Sequence, residues 1–328
     1  MAKKVLITRI IPSIASDSLR AEGFDVNVWE SETPMTHQQL IDEAKKVDAL
    51  IPLGANKLDK KFFSECSHLD VIAQFAVGYD NIDVAEATRL KIPVGNTPEV
   101  LSEATADIAF GLLIAVSRKM FFHHKLIERG EWKQFEPLKN LGVQLTGKTL
   151  GIFGLGRIGM VMAQRCQGAY NMKVIYHSRN RNLEAEKLFN ATWVSFDELL
   201  QQSDVLSVHS VLSNETSGLF NKSVFAKMKK SAIFINTSRG GVHNEEDLIE
   251  ALQTGAIWGA GLDVTNPEPM LSNNILLTMP NAAVLPHIGS ATEEARTGMA
   301  RIAAENIIEF YKTGKMIYCV NPEVLKNN

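Results

Sequence analysis

The sequence predicts an α/β protein built from two doubly wound parallel-sheet domains. Three observations carry this expectation. The 328 residues are too many for one ordinary core, so two domains are the starting point. Short apolar runs alternate with helical stretches along most of the chain, the pattern of parallel strands covered on both faces. The alternation also comes in two series. One begins near the N-terminus, and the other restarts at Thr149 and leads into Gly154-Leu155-Gly156-Arg157-Ile158-Gly159.

In the first series, strands are expected at residues 5–8, 26–29, 49–53, 71–75 and 93–95. Helical stretches such as 36–46 and 84–90 lie between them. Five strands at this spacing make a small doubly wound, flavodoxin-like domain. A long helical segment follows, over residues 101–129. Its centre, 106–116, is nearly all apolar, and a helix apolar all round is buried in a core or between subunits. In the second series, six strands are expected, at 150–153, 173–176, 205–209, 232–236, 259–262 and 283–285. A last helix, about 291–311, comes after that sheet is complete and is expected to cross back to the first domain. The expected division is residues 1–99 with 289–328 for one domain and 100–288 for the other, with a cleft between them that closes on substrate.

Composition excludes several function classes. Hydrophobic residues make up 45% and charged residues 22%, which is globular rather than disordered composition. A net charge of −3 lacks the electrostatic footprint of a nucleic-acid binder. Cys66, Cys166 and Cys319 are far apart and without metal-ligand spacing, so free thiols in a reducing compartment are expected and no metal. Met1-Ala2-Lys3-Lys4 runs straight into a strand pattern, with no signal peptide expected. The longest apolar stretch, 108–116, is too short to span a bilayer. A cytoplasmic protein without nucleic-acid or membrane partners is the expectation.

The glycine-rich segment is the most informative motif. A strand ends at Phe153, a tight turn follows, and a helix begins. In such a turn Gly154 and Gly156 let the backbone turn and approach a pyrophosphate, while Gly159 lets helix and strand pack closely. Leu155, Arg157 and Ile158 belong to the same cofactor loop, whose first helical N–H groups face phosphates. The plain alternative is a glycine-rich structural turn. With the strand before it and six strands in the series, the segment fits a Rossmann cofactor domain. An NAD enzyme carries an acid at the end of the next strand, to hold the ribose hydroxyls. Here the chain reads His177-Ser178-Arg179-Asn180-Arg181. Ser178, Arg179 and Arg181 would welcome a ribose phosphate that a carboxylate would repel. NADP(H) is therefore preferred, with NAD(H) possible. The alternative is that the two arginines are solvated surface charges.

Three segments after later strands look chemical. They are Asn236-Thr237-Ser238-Arg239-Gly240, Gly261-Leu262-Asp263-Val264-Thr265-Asn266-Pro267-Glu268-Pro269, and Pro286-His287-Ile288-Gly289. All follow sheet strands at the carboxyl edge, where ligands bind in open α/β sheets. Arginine grips a carboxylate with two parallel hydrogen bonds. Histidine supplies a proton near neutral pH, and a neighbouring carboxylate fixes its tautomer. Arg239, Glu268 and His287 are what the reduction of a small 2-keto acid needs.

With those residues in view, the chain resembles the D-isomer-specific 2-hydroxyacid dehydrogenases, and among them the glyoxylate/hydroxypyruvate reductases. The likeness runs nearly end to end. It rests on Val77-Gly78-Tyr79-Asp80-Asn81-Ile82-Asp83, the Gly154 loop, and segments 236–240, 261–269 and 286–292. The resemblance implies that Arg239 binds and polarises substrate, that His287 is the acid/base, and that Glu268 supports it. It implies that the Val77 and Gly78 N–H groups hold the substrate carboxylate, that Asp263 orients the nicotinamide carboxamide, and that Thr105 and Thr237 serve the cofactor. Leu53 is a pocket-lining candidate. Phe135 is another, because in the resembling reductases an aromatic here reaches a neighbouring subunit's site. The region 101–129 is implied to form a homodimer.

Two positions depart from the family pattern. Val211 stands for a usual proline, and Asn244 for a frequent aspartate, still a helix N-cap candidate. Two rival functions follow from the resemblance. One is another dehydrogenase of the family, such as a phosphoglycerate dehydrogenase, many of which add a regulatory domain. The other is a nucleotide-sensing corepressor-type binding protein, whose resembling members carry a long flexible tail.

Overall fold

Val5-Leu6-Ile7, Ala49-Leu50-Ile51 and Val71-Ile72-Ala73 are almost wholly excluded from solvent, as strands covered on both faces must be. In the structure, a computed structural model that describes residues 2–325, they form the centre of a five-stranded parallel sheet. Its strands are β1 (Lys4–Ile7), β2 (Asp25–Val28), β3 (Ala49–Ile51), β4 (Val71–Ala73) and β5 (Val94–Gly95), in the order β2-β1-β3-β4-β5. Helices α1 (Ile14–Ala21), α2 (His37–Ala44), α3 (Lys60–Glu65) and α4 (Val84–Arg89) connect them. The side chains of Thr36, Asp59 and Asp83 cap α2, α3 and α4, each accepting a hydrogen bond from the third helical N–H. This is the flavodoxin-like order, which reverses between β1 and β3.

The chain divides into two compact units, Met1–Leu101 with Ala291–Asn328, and Ser102–Ser290. The last helix, α12 (Glu293–Thr313), rejoins the first unit. Within that unit the Asn306 side chain donates to the Asn96 carbonyl at 3.1 Å, and the Tyr311 hydroxyl donates to Asp70 at 2.8 Å. Asn321 then closes the edge of β5. Its Oδ1 accepts from the Val94 N–H at 2.8 Å and its Nδ2 donates to the Ile92 carbonyl at 3.0 Å.

The second unit opens with α5 (Ser102–Ser117) and α6 (Met120–Glu128). The single helical segment expected there is broken at Lys119, whose φ is +53°. The Ser117 carbonyl accepts from the Val143 N–H at 2.8 Å instead of continuing the helical ladder. No glycine or proline marks the break, which is why the sequence pattern runs through it. Strands β6 (Thr149–Phe153), β7 (Lys173–His177), β8 (Thr192–Trp193), β9 (Val205–Val208), β10 (Ile233–Asn236), β11 (Gly259–Leu262) and β12 (Ala282–Val284) follow. The connecting helices are α7 (Arg157–Tyr170), α8 (Leu183–Phe189), α9 (Phe196–Gln202), α10 (Lys222–Phe225) and α11 (Glu245–Gln253).

The sheet has seven parallel strands in the order β12-β11-β10-β9-β6-β7-β8, one more than expected. The additional strand, β8, is only two residues long and both are exposed, so it leaves no readable periodicity. The apolar helix α5 is buried against this sheet through Ala109, Leu112, Leu113 and Val116. Gly261 permits that approach, because a Cβ there would stand 2.8 Å from Ile235 and 3.0 Å from Leu112. The strand order reverses between β6 and β9, the place where such sheets open a crevice for a ligand. Beyond α5, Met120, Ile127, Trp132, Phe135, Leu138 and Leu141 are all exposed. No helix among the described residues is long and apolar enough to cross a membrane.

Candidate active site

Each glycine of the loop after β6 meets a different physical demand. Gly154 has φ +89°, which L side chains rarely adopt, and a Cβ there would stand 2.9 Å from the Ser210 N. Gly156 precedes α7 and a Cβ there would meet nothing within 4 Å, so its face is open to a ligand. A Cβ at Gly159 would stand 3.0 Å from the Gly154 carbonyl oxygen, which explains the close packing of α7 on the loop. No side chain caps α7 at Gly156, so its first N–H groups keep their capacity for an anion. Arg157 is exposed and Ile158 half-buried in that first turn. Nearby strand ends carry two buried hydroxyls without partners, Ser210 Oγ after β9 and Thr237 Oγ1 after β10. Turn, open face, helix start and orphaned hydroxyls together fit a bound dinucleotide.

The loop after β7 is tied to the glycine loop at both ends. Leu155 N–H donates to Ser178 Oγ at 2.8 Å, and Asn182 Nδ2 donates to the Leu155 carbonyl at 3.0 Å. The Asn182 Oδ1 also caps α8. Between these ties, Arg179 is exposed and makes no hydrogen bond or ion pair among the described residues. Arg181 is engaged, donating to Glu186 from Nε at 3.0 Å and from a terminal nitrogen at 2.6 Å.

The three chemical residues lie in the same unit, after β10, β11 and β12. Asn236, fully buried at the end of β10, shapes the Arg239 turn. Its Nδ2 donates to the Arg239 carbonyl at 2.9 Å and to His243 Nδ1 at 3.1 Å, and its Oδ1 accepts from the Ser238 N–H at 2.9 Å. Arg239 itself donates to the Ser238 carbonyl at 2.8 Å. The turn packs directly on the Glu268 segment, because a Cβ at Gly240 would lie 1.8 Å from the Thr265 carbonyl oxygen. Glu245, in the first turn of α11, steadies that segment by accepting from the Asn266 N–H at 3.1 Å and from Asn274 at 2.6 Å.

His287 and Glu268 meet, with His287 Nδ1 and Glu268 Oε1 2.5 Å apart. His287 takes φ +55°. Asp263 supports this backbone. Its carbonyl accepts from the His287 N–H at 2.8 Å, and its carboxylate oxygens accept from the Ile288 and Gly289 N–H groups at 2.8 and 2.7 Å. Thr105 reaches the same spot, since a Cβ at Gly289 would stand 3.0 Å from Asp263 and 3.2 Å from Thr105. Burial pushes the Asp263 carboxyl above the usual carboxylate value, against its two backbone hydrogen bonds. For Glu268 burial pushes the same way, but the hydrogen bond and charge of His287 and the charge of Arg239 outweigh it. The group is held below its usual value and stays a carboxylate.

Two histidines missed by sequence reasoning carry a pH dependence. Burial pushes His243 down to about 4, and His209, after β9, also to about 4. In an unfolded chain each titrates near 6.5. Between these values the unfolded chain binds protons that the folded chain refuses. Stability is therefore complete above about pH 6.5 and falls as the pH drops towards 4. From pH 7.5 to 5, His243 alone contributes a loss of about 2 kcal/mol. Urea unfolding at about pH 7.5 and pH 5 checks this. His243→Asn, which keeps an acceptor for Asn236, should lose about 2 kcal/mol less than wild type between the two conditions. An equal loss would remove His243 from the account.

The first unit holds the other expected substrate contacts. The Val77 and Gly78 carbonyls accept from Asn96 at 2.9 Å and from Gln74 at 3.4 Å, while their N–H groups donate to nothing among the described residues. The Leu53 N–H donates to Asn56 Oδ1 at 3.0 Å, and Leu53 is half-buried. Phe135, in the second unit, is 86% exposed and far from burial of any kind. Asn244 caps α11 as expected. Val211 is exposed, and its carbonyl accepts from Thr216 at 2.7 Å. The described residues contain no metal-ligand cluster.

A dinucleotide-binding sheet with an imidazole–carboxylate pair and an arginine at its carboxyl edge defines an NAD(P)-dependent oxidoreductase. Comparison with known proteins narrows the class. The chain belongs to the D-isomer specific 2-hydroxyacid dehydrogenase family, whose NAD-binding-domain model matches residues 110–289. A glyoxylate reductase of Thermococcus litoralis is 44% identical over 332 residues, covering 100% of this chain and 99% of the relative. The TT0316 protein of Thermus thermophilus has a crystal structure with a TM-score of 0.88 and 38% identity, over 97% of this chain and 99% of that one. An NADPH-dependent glyoxylate/hydroxypyruvate reductase of Sinorhizobium meliloti, solved with NADP and malonate, gives a TM-score of 0.86 and 29% identity, over 100% of this chain and 99% of that one.

Proposed function

We propose that this enzyme is a cytoplasmic homodimer that reduces glyoxylate and hydroxypyruvate to glycolate and D-glycerate, preferring NADPH. The observation that carries the proposal is the His287–Glu268 pair at the sheet edge that also bears the glycine loop and Arg239. The names of the similar enzymes support the substrates. The exposed apolar residues of segment 120–141 support a self-association surface, and three free cysteines support a reducing compartment. Exposed Arg179 beside Ser178 supports the cofactor preference.

When bound, the nicotinamide supplies the hydride for the keto carbon. The chain supplies the rest. His287 gives the new hydroxyl its proton from Nε2, because Glu268 occupies Nδ1 and fixes the ring. Arg239 grips the substrate and steadies the negative charge that develops on oxygen. The Val77 and Gly78 N–H groups donate to the substrate carboxylate. Leu53 and, from a neighbouring subunit, Phe135 line the pocket.

Steady-state kinetics with glyoxylate, hydroxypyruvate, pyruvate and phosphohydroxypyruvate, each with NADPH and NADH, test the proposal. The highest kcat/KM should fall on glyoxylate or hydroxypyruvate, with NADPH favoured by about 10-fold or more, roughly 1.4 kcal/mol. Best turnover of phosphohydroxypyruvate would make it a phosphoglycerate dehydrogenase. Absence of turnover would make it a binding protein.

A further inference from the structure

We propose that Glu186 sets the strength of the cofactor preference by withholding Arg181 from the ribose phosphate, so that Arg179 reads it alone. This rests on the NADPH preference proposed above. Both arginines ride on one short loop, Ser178 to Asn182, whose ends are fixed to the backbone of Leu155. Nothing in the loop's placement separates them. Their partners do. Arg179 has none among the described residues, whereas Arg181 holds Glu186 with two hydrogen bonds, at 3.0 and 2.6 Å.

Glu186 is itself fixed in place. It lies in α8, whose start is capped by Asn182, and the hydroxyl of Tyr176, a buried residue of β7, donates to its Oε1 at 2.7 Å. The Tyr176 hydroxyl in turn accepts from the Asn182 N–H at 2.8 Å. Carboxylate, phenol and helix start thus form one network, and the guanidinium docks on it. A guanidinium docked through two of its five N–H groups on a fixed carboxylate is held in that orientation with its charge offset, so a second anion gains less from it. The carboxylate also places a negative charge beside the loop that would receive the phosphate. The pair is solvent-exposed on the arginine side and so weak enough to be tuned by substitution.

The test uses adenosine 2′,5′-bisphosphate and 5′-AMP, measured by titration calorimetry on the whole protein. Glu186→Gln keeps an acceptor for Tyr176 and removes the charge that holds Arg181. It should tighten the 2′-phosphate compound by about 5–10-fold and change 5′-AMP by less than about twofold. In an Arg181→Ala background the same substitution should gain less than about threefold, because only charge removal is left. Equal gains in both backgrounds would mean that Glu186 acts by its own charge, overturning the withholding of Arg181. So would an unchanged or weakened 2′-phosphate affinity in Glu186→Gln while Arg179→Ala still weakens it. If wild type bound both compounds equally, the NADPH preference would fail, and this inference with it.

Discussion

Replacement of His287 by glutamine is expected to lower kcat for 2-keto acid reduction by about 10²–10⁴-fold, the usual cost of losing a general acid. Glutamine can still hydrogen-bond to Glu268, and the supporting bonds from Asp263 go to backbone N–H groups that the substitution keeps. What disappears is the transferable proton. NADPH binding, followed by its fluorescence, should stay within about twofold, because the groups proposed to hold the phosphates lie after β6, β9 and β10 rather than at His287. Retention of more than half the wild-type kcat would remove His287 from the acid/base role.

Arg239→Lys is expected to cost about 10–100-fold in kcat/KM for the keto acid, with a higher KM and a lower kcat together. Charge-assisted hydrogen bonds are worth roughly 1.5–3 kcal/mol, and lysine keeps the charge while losing the fork. The backbone under the side chain should not move. Asn236 holds the Arg239 carbonyl, and Gly240 lies against the Thr265 carbonyl oxygen, so the turn is fixed by main-chain contacts. A loss confined to NADPH affinity would instead make Arg239 a cofactor residue.

The parts of the site written in backbone geometry were readable from sequence. Gly154 and Gly159 sit where their spacing implies a turn and a close packing, which a side chain would obstruct, and Gly156 leaves an open face between them. Arg239, Glu268 and His287 were readable for a related reason. Each follows a strand, and parallel strands deliver their carboxyl ends to one edge. What escaped depends on partners distant in sequence or on elements too short to show a period. Asn236 organises its turn through His243, and Glu245 steadies Asn266 from another helix. The two-residue strand β8 has no alternation to detect. The pairing of Arg181 with Glu186 had a faint signal, an acid in the first turn of the next helix, but which of two arginines it would take is a matter of geometry.

The closure of β5 by Asn321 bears on how the protein is made. The Ser102–Ser290 unit is an insertion, complete in sequence as soon as its last residue leaves the ribosome. The unit begun first cannot finish until α12 and the segment through Asn321 have been synthesised. Until then the edge of β5 and the surfaces that α12 covers are exposed, which gives the nascent chain its longest vulnerable interval in the half translated earliest.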